Sequence, residues 1–203
     1  MKTGSIKAVL FDFDGTLTVP GLIDFMAIKK EINCPRATPI LEFIAALPSG
    51  GERRRGAKVL ERYENNAVAA AKPNENAAEI IMFLRGKGLK LGILTRNRRR
   101  SVLTSLKSFR KIGRKHFDVI VTREHELKLK PHPEGVLFAA RVFGVLPREM
   151  AVIGDYVFDI EAGREAGALT VFLESNHTTR RPDPPADFTI KRLDELKQIF
   201  GNK

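Results

Sequence analysis

A single cysteine, no tryptophan and only two tyrosines set the first limits on this 203-residue chain. With Cys34 alone no internal disulfide can form, which fits a reducing, cytoplasmic compartment. No histidine neighbours Cys34, so it reads as an inert thiol rather than a nucleophile. Long apolar runs are missing too. The longest, from Val136 to Leu146, is broken by Arg141 and falls short of the roughly 18 residues a membrane helix needs. Acids interrupt the N-terminal apolar stretch almost at once, so no signal peptide is expected there. His116, His125, His132 and His177 lack the spacing of zinc ligands. There are no internal repeats or low-complexity tracts. Acidic residues are outnumbered, 24 against 35 basic, for a net charge of +11. The basic residues cluster at Arg53–Arg55, Arg98–Arg100 and from Lys107 to Lys115. Without aromatic residues interleaved among them, the chain lacks the stacking platform of single-strand binders, and nucleic acid is not expected as the main partner. A basic surface also draws in a small anionic substrate.

What is present suits one soluble core domain with a modest insertion. Apolar runs at 6–12, 89–95, 117–121, 151–155 and 168–173 read as strands. Helical patterns alternate with them: 73–85, 98–109 with Asn97 as N-cap, one from Pro133, 157–166 closed by Gly167, and 192–200. This alternation predicts an α/β fold, a doubly wound and mainly parallel sheet with helices on both faces. Residues 18–72 break it, showing only helical stretches at 22–32, 40–47 and 52–71, separated by Pro35, Pro39 and Pro48–Gly51. The expected division is therefore a core of residues 1–17 and 73–203, with a small all-helical cap at 18–72. Inserted just after the first strand, the cap is placed to exclude water and contact substrate.

The chemistry lies at the strand ends. Asp12 and Asp14 close the first strand, and two acids at a buried tip need a cation or substrate to offset their desolvation. Gly15 frees the backbone to curl, so both carboxyl groups can face one site. Thr95 ends the second strand, Lys130-Pro131 precedes a helix, and Asp155 ends the fourth with Asp159 one helical turn later. In a parallel sheet these tips share one rim, where open α/β sheets bind ligands. Up to four carboxylates, an ammonium and a hydroxyl match phosphoryl transfer. Such a density of carboxylates calls for Mg²⁺, and a carboxylate can attack phosphorus to form an acyl phosphate. Charge developing on the phosphoryl oxygens would be met by the cation, the lysine, the hydroxyl and backbone N–H groups.

Four ordered motifs, Asp12-Phe13-Asp14-Gly15-Thr16, Thr95, Lys130-Pro131 and Gly154-Asp155 with Asp159, resemble those of the haloacid dehalogenase superfamily, in its phosphoglycolate-phosphatase-like branch with a helical cap. The resemblance implies Asp12 as nucleophile, and Asp14 as the acid that protonates the leaving oxygen and then activates water. It further implies that Asp12, the main-chain carbonyl of Asp14, and Asp155 hold Mg²⁺, with Asp159 supporting or ligating through water. Thr95 and Lys130 would bind the transferring phosphoryl group. Lys128 is a rival for the place of Lys130.

The expected activity is a Mg²⁺-dependent phosphatase acting on a small phosphorylated metabolite. Two alternatives remain open: a sugar phosphomutase like β-phosphoglucomutase, and a basic nucleic-acid- or partner-binding protein on the same scaffold. The acid at position 14 argues against dehalogenase chemistry. A phosphonatase would need a cap lysine, for which Lys29, Lys30, Lys58 and Lys72 qualify only by location. Arg98–Arg100 begin a helix, where cations oppose the macrodipole. Either Arg96 or one of these three contacts an acidic group of substrate or partner, or all are solvated. Arg96 and Asn97 are the candidate substrate-binding residues.

Overall fold

The computed structural model describes residues 5–178 and 180–201. They form two compact units: one runs to Pro20 and resumes at Lys72, and the other is Gly21–Ala71. Its strands are β1 (Ala8–Phe11), β2 (Lys90–Leu94), β3 (Val119–Val121), β4 (Met150–Gly154), β5 (Leu169–Leu173) and β6 (Phe188–Ile190). The helices of the inserted unit are α1 (Phe25–Glu31), α2 (Ile40–Ala46) and α3 (Gly50–Ala70). Those of the first unit are α4 (Ala77–Gly86), α5 (Arg99–Ser105), α6 (Glu134–Phe143), α7 (Val157–Ala166) and α8 (Leu196–Phe200).

All six strands are parallel, in the order β3-β2-β1-β4-β5-β6. The chain winds outward from β1 through β2 to β3, then returns to the other side of β1 with β4. The order thus reverses between β1 and β4, the kind of switch point at whose carboxyl ends open α/β sheets bind ligands. Apolar runs continue through the strands because both faces are covered. Val9, Phe11, Leu91, Ile93, Ala151 and Ile153 pack on one face with Ile80, Ile81 and Leu84 of α4, Val102 of α5 and Leu196 of α8. Ala8, Leu10, Leu94, Met150 and Val152 pack on the other with Val136, Ala140 and Phe143 of α6 and Ala162 of α7. The inserted unit has its own core of Ile23, Ile28, Ile40, Ile44, Leu60 and Ala67.

The structure departs from the sequence reading in several places. A sixth strand, β6, lies at the sheet edge; its three residues, two of them exposed, are too few to establish a strand period in the sequence. The helix expected from Pro73 starts at Ala77, because Pro73 instead bridges Thr18 in an antiparallel contact. Ser49, taken as part of a separator, caps α3 in a reciprocal box with Glu52, which draws Gly50 and Gly51 into the first turn. The segment after β2 is helical only to Ser105 and tightens to a 3₁₀ turn over Leu106–Ser108. A 3₁₀ turn at Leu193–Glu195 likewise precedes α8. Among the described residues no helix is long and apolar enough to cross a membrane.

Gly92 in β2 leaves room for side chains of both β3 and α6. A Cβ there would lie 2.6 Å from Val119 and 2.8 Å from Phe143. Gly86, the last residue of α4, has nothing within 4 Å. Gly92→Ala is expected to cost about 1–3 kcal/mol through overpacking. Gly86→Ala is expected to be neutral or to stabilise by up to about 1 kcal/mol. Urea denaturation midpoints of the two variants against the parent chain check the contrast.

Candidate active site

The chain leaves β1 through a loop fastened at both ends. Phe13 and Leu17 are buried in the core, and the Phe13 carbonyl accepts N–H bonds from Leu17 and Thr18, both 2.9 Å. Asp12 and Asp14 flank the Phe13 anchor. Gly15 turns the chain at φ 81°, a left-handed conformation that suits glycine. A Cβ at Gly15 would fall 2.1 Å from Oδ2 of Asp155, so glycine also makes room for that carboxylate. Asn74 braces the loop from α4's approach, its amide donating to the carbonyls of Thr16 (3.0 Å) and Gly15 (3.4 Å). This brace was missed in the sequence, where Asn74 passes for an ordinary helix-start residue.

Lys130 is the hub. Its side chain is only 5% exposed, and Nζ donates to Asp12 Oδ1 (2.6 Å), Asp159 Oδ1 (2.5 Å) and the Leu94 carbonyl (2.9 Å). All three donors of the ammonium are thereby used. Burial opposes its charge, but Asp12 and Asp159 outweigh that and raise its pKa above the ordinary lysine range. Lys128, by contrast, is 67% exposed and pairs with Glu134, which removes it as a rival. The second oxygen of Asp159 accepts the Tyr156 N–H at 3.0 Å, locking the carboxylate at the start of α7.

Asp155 completes the acidic group. Ligand oxygens of Asp12, Asp155 and Asp159 all lie within 4.8 Å of one another. Thr16 Oγ1 donates to Asp155 Oδ1 at 3.3 Å. Burial, then the nearby Asp159, push the Asp155 carboxyl up from 3.8 to about 7. Burial likewise carries Asp12 well above the carboxylate range; Lys130 opposes the shift, while Asp159, Asp155 and Asp14 add to it. One ammonium against three clustered carboxylates leaves surplus negative charge. An all-oxygen donor set with that surplus fits a hard divalent cation. The carboxylate of Asp14 lies outside this trio.

The loop after β2 faces the same rim. Thr95 is buried, and its hydroxyl accepts the Asn97 N–H at 3.1 Å, leaving its own proton to donate. Arg96 donates to the Lys130 carbonyl at 3.0 Å and lies 5.4 Å over the Phe158 ring. Asn97 turns its amide onto Asp14, Nδ2 to Oδ2 at 2.5 Å. The expected Asn97 N-cap is therefore corrected: Arg98 occupies the N-cap of α5, with no side-chain capping bond. Such a bond is ordinarily worth about 0.5–2 kcal/mol, and here the amide serves the carboxylate instead. The anion at this basic helix start comes from the chain itself, since Glu124 accepts the Arg99 N–H at 2.8 Å. Arg53 satisfies the Leu47 and Pro48 carbonyls beside its own helix.

His116 and His125 bond within their own turns, and His132 faces Glu134, so none reaches the acidic group. Burial pushes the Cys34 thiol up, in keeping with an inert role.

The family model for haloacid dehalogenase-like hydrolases matches residues 28–173. The chain belongs to that family. It is 33% identical over 97% of its length to an uncharacterised hydrolase of Saccharomyces cerevisiae, covering 92% of that protein. It is 28% identical, over 98% of its length and 97% of the relative's, to an N-acetylmuramic acid 6-phosphate phosphatase of Pseudomonas aeruginosa. The crystal structure of a HAD phosphatase from Thermococcus onnurineus shares the fold, with TM-score 0.68 at 24% identity over 98% of this chain and 99% of that one.

Lys130→Met removes the ammonium while leaving Asp12 and Asp159 buried. In a chelator-treated sample it is expected to destabilise the fold by about 3–5 kcal/mol, since it strands buried charge. Chemical denaturation checks this.

Proposed function

We propose that this chain is a Mg²⁺-dependent phosphatase of small phosphomonoesters that works through an aspartyl-phosphate on Asp12. The observation that carries the reading is the Lys130 hub, which holds Asp12 beside Asp155 and Asp159 at the strand-order reversal.

In this reading Lys130 holds one oxygen of Asp12, and the other attacks phosphorus. The bond from phosphorus to the leaving oxygen breaks as Asp14 supplies a proton to that oxygen. Asp14, now ionised, takes a proton from water as the water attacks the aspartyl-phosphate, which releases inorganic phosphate and restores Asp12. Thr95 donates its hydroxyl proton to the phosphoryl group, and Lys130 adds positive charge beside it. Asp12 and Asp155 would hold the Mg²⁺, with Asp159 behind them, and the bound cation would offset negative charge on the phosphoryl oxygens.

The relatives support a small phosphorylated substrate, since one is named for an amino-sugar phosphate and another as a phosphoglycolate phosphatase. We assign substrate selection to the helical unit at 21–71, acting as the cap of this core. The support is its place in the chain. It departs shortly after the catalytic loop, and its two connections are fastened together where Val19 N–H donates to the Lys72 carbonyl at 3.1 Å. The surplus of basic residues favours encounter with anionic substrates, an effect that weakens with salt.

Phosphate release over a panel of phosphorylated metabolites tests the activity. Turnover is expected with Mg²⁺, absent with EDTA, and at background in Asp12→Asn; Asp14→Asn should lose about 10²- to 10⁴-fold. Metal-independent turnover, or full activity in Asp12→Asn, would contradict the mechanism. Dependence on a bisphosphate activator with little phosphate release would point to a phosphomutase.

Mg²⁺ binding has a readout apart from activity. Saturating Mg²⁺ is expected to raise the melting temperature of the parent chain by mass action, and Asp155→Asn should shrink that rise. Differential scanning fluorimetry measures both.

A further inference from the structure

The proposed chemistry requires Asp14 to present its carboxyl group first to a leaving oxygen and then to water, yet Asp14 sits on a loop beyond the last residue of β1. A loop carboxylate needs orientation from outside its own strand, because small errors of aim cost large factors in rate. The neighbouring acids have the Lys130 ammonium. Asp14 accepts a hydrogen bond from the side-chain amide of Asn97, Nδ2 to Oδ2 at 2.5 Å.

Asn97 is itself clamped. Its N–H donates to Thr95 Oγ1 at 3.1 Å, and its carbonyl accepts the Arg123 N–H at 3.2 Å. Both bonds belong to the backbone and survive changes of side chain. The amide takes no part in capping α5, which begins at Arg99 with Arg98 at its N-cap and no side-chain capping bond.

We infer that Asn97 is a positioning residue for Asp14, aiming its carboxyl group at the leaving oxygen, rather than a contact for the substrate. The inference rests on the proposed phosphatase reading and adds a role outside its catalytic set. It makes the loss on removing Asn97 depend on how much help the leaving group needs. An alkoxide departs poorly without a proton, whereas p-nitrophenolate departs well as an anion.

The experiment measures kcat/KM for Asn97→Ala and Asn97→Leu, each alone and combined with Asp14→Asn, on the best alkyl phosphomonoester and on p-nitrophenyl phosphate. The leucine variant fills the amide's volume without a donor, so one well-folded variant of the two suffices. The expected result is a fall of about 10- to 100-fold on the alkyl substrate. A much smaller fall is expected on p-nitrophenyl phosphate, and no further loss when Asp14 is already Asn. Equal falls on both substrates would overturn the inference, as would an undiminished loss in the Asp14→Asn background. If Asp14→Asn costs activity while neither Asn97 variant does, only the inference fails. If Asp14→Asn itself leaves alkyl phosphate turnover intact, the phosphatase reading of Asp14 fails instead.

Discussion

One ammonium group organises this protein's chemistry. Lys130 arrives on the approach to α6, crosses to the carboxyl end of β1, and divides its three protons among Asp12, Asp159 and the last carbonyl of β2. Each acceptor comes from a different part of the chain, so the hub exists only when three crossovers have been completed. Isolated, any of the acids would carry a heavy desolvation penalty at this depth. Gathered around the lysine they are affordable, and the negative charge left over is what a divalent cation would meet.

The fold explains why the gathering happens there. Strand order reverses between β1 and β4, and Asp12 and Asp155 are the next residues after those two strands. Packing on both faces of the sheet fixes the height of each tip. Gly92 lets α6 close on the sheet, and with it the loop that carries Lys130. Gly15 and Gly154 do the corresponding work at the rim itself. A Cβ on Gly154 would strike Asp159 at 2.2 Å, as one on Gly15 would strike Asp155.

The loop after β2 shows how a short sequence can serve several neighbours. Thr95, Arg96 and Asn97 are consecutive, yet their side chains engage the Asn97 backbone, the Lys130 carbonyl with the Phe158 ring, and the Asp14 carboxylate. The segment thereby ties the first acidic loop to the lysine loop and to the start of α7. A cluster of arginines at this helix start is tolerable because Glu124 supplies the negative charge that the helix end favours.

Much of this was legible in the amino-acid order alone. Apolar runs ending in Asp12, Thr95 and Asp155, alternating with helical periodicity, indicated a parallel α/β sheet and the tips on its rim, because strand and helix periods are local properties of side-chain spacing. The insertion was visible as the stretch where the strand period vanishes. Partnership was not legible. Periodicity could not show that Lys130 rather than Lys128 reaches the acids, that Asn97 forgoes its helix for Asp14, or that Asn74 braces the Gly15 turn. Nor could it establish β6, whose three residues are too few to define a period. These are contacts between residues distant in the chain, and their energies depend on separations that only the packed sheet sets.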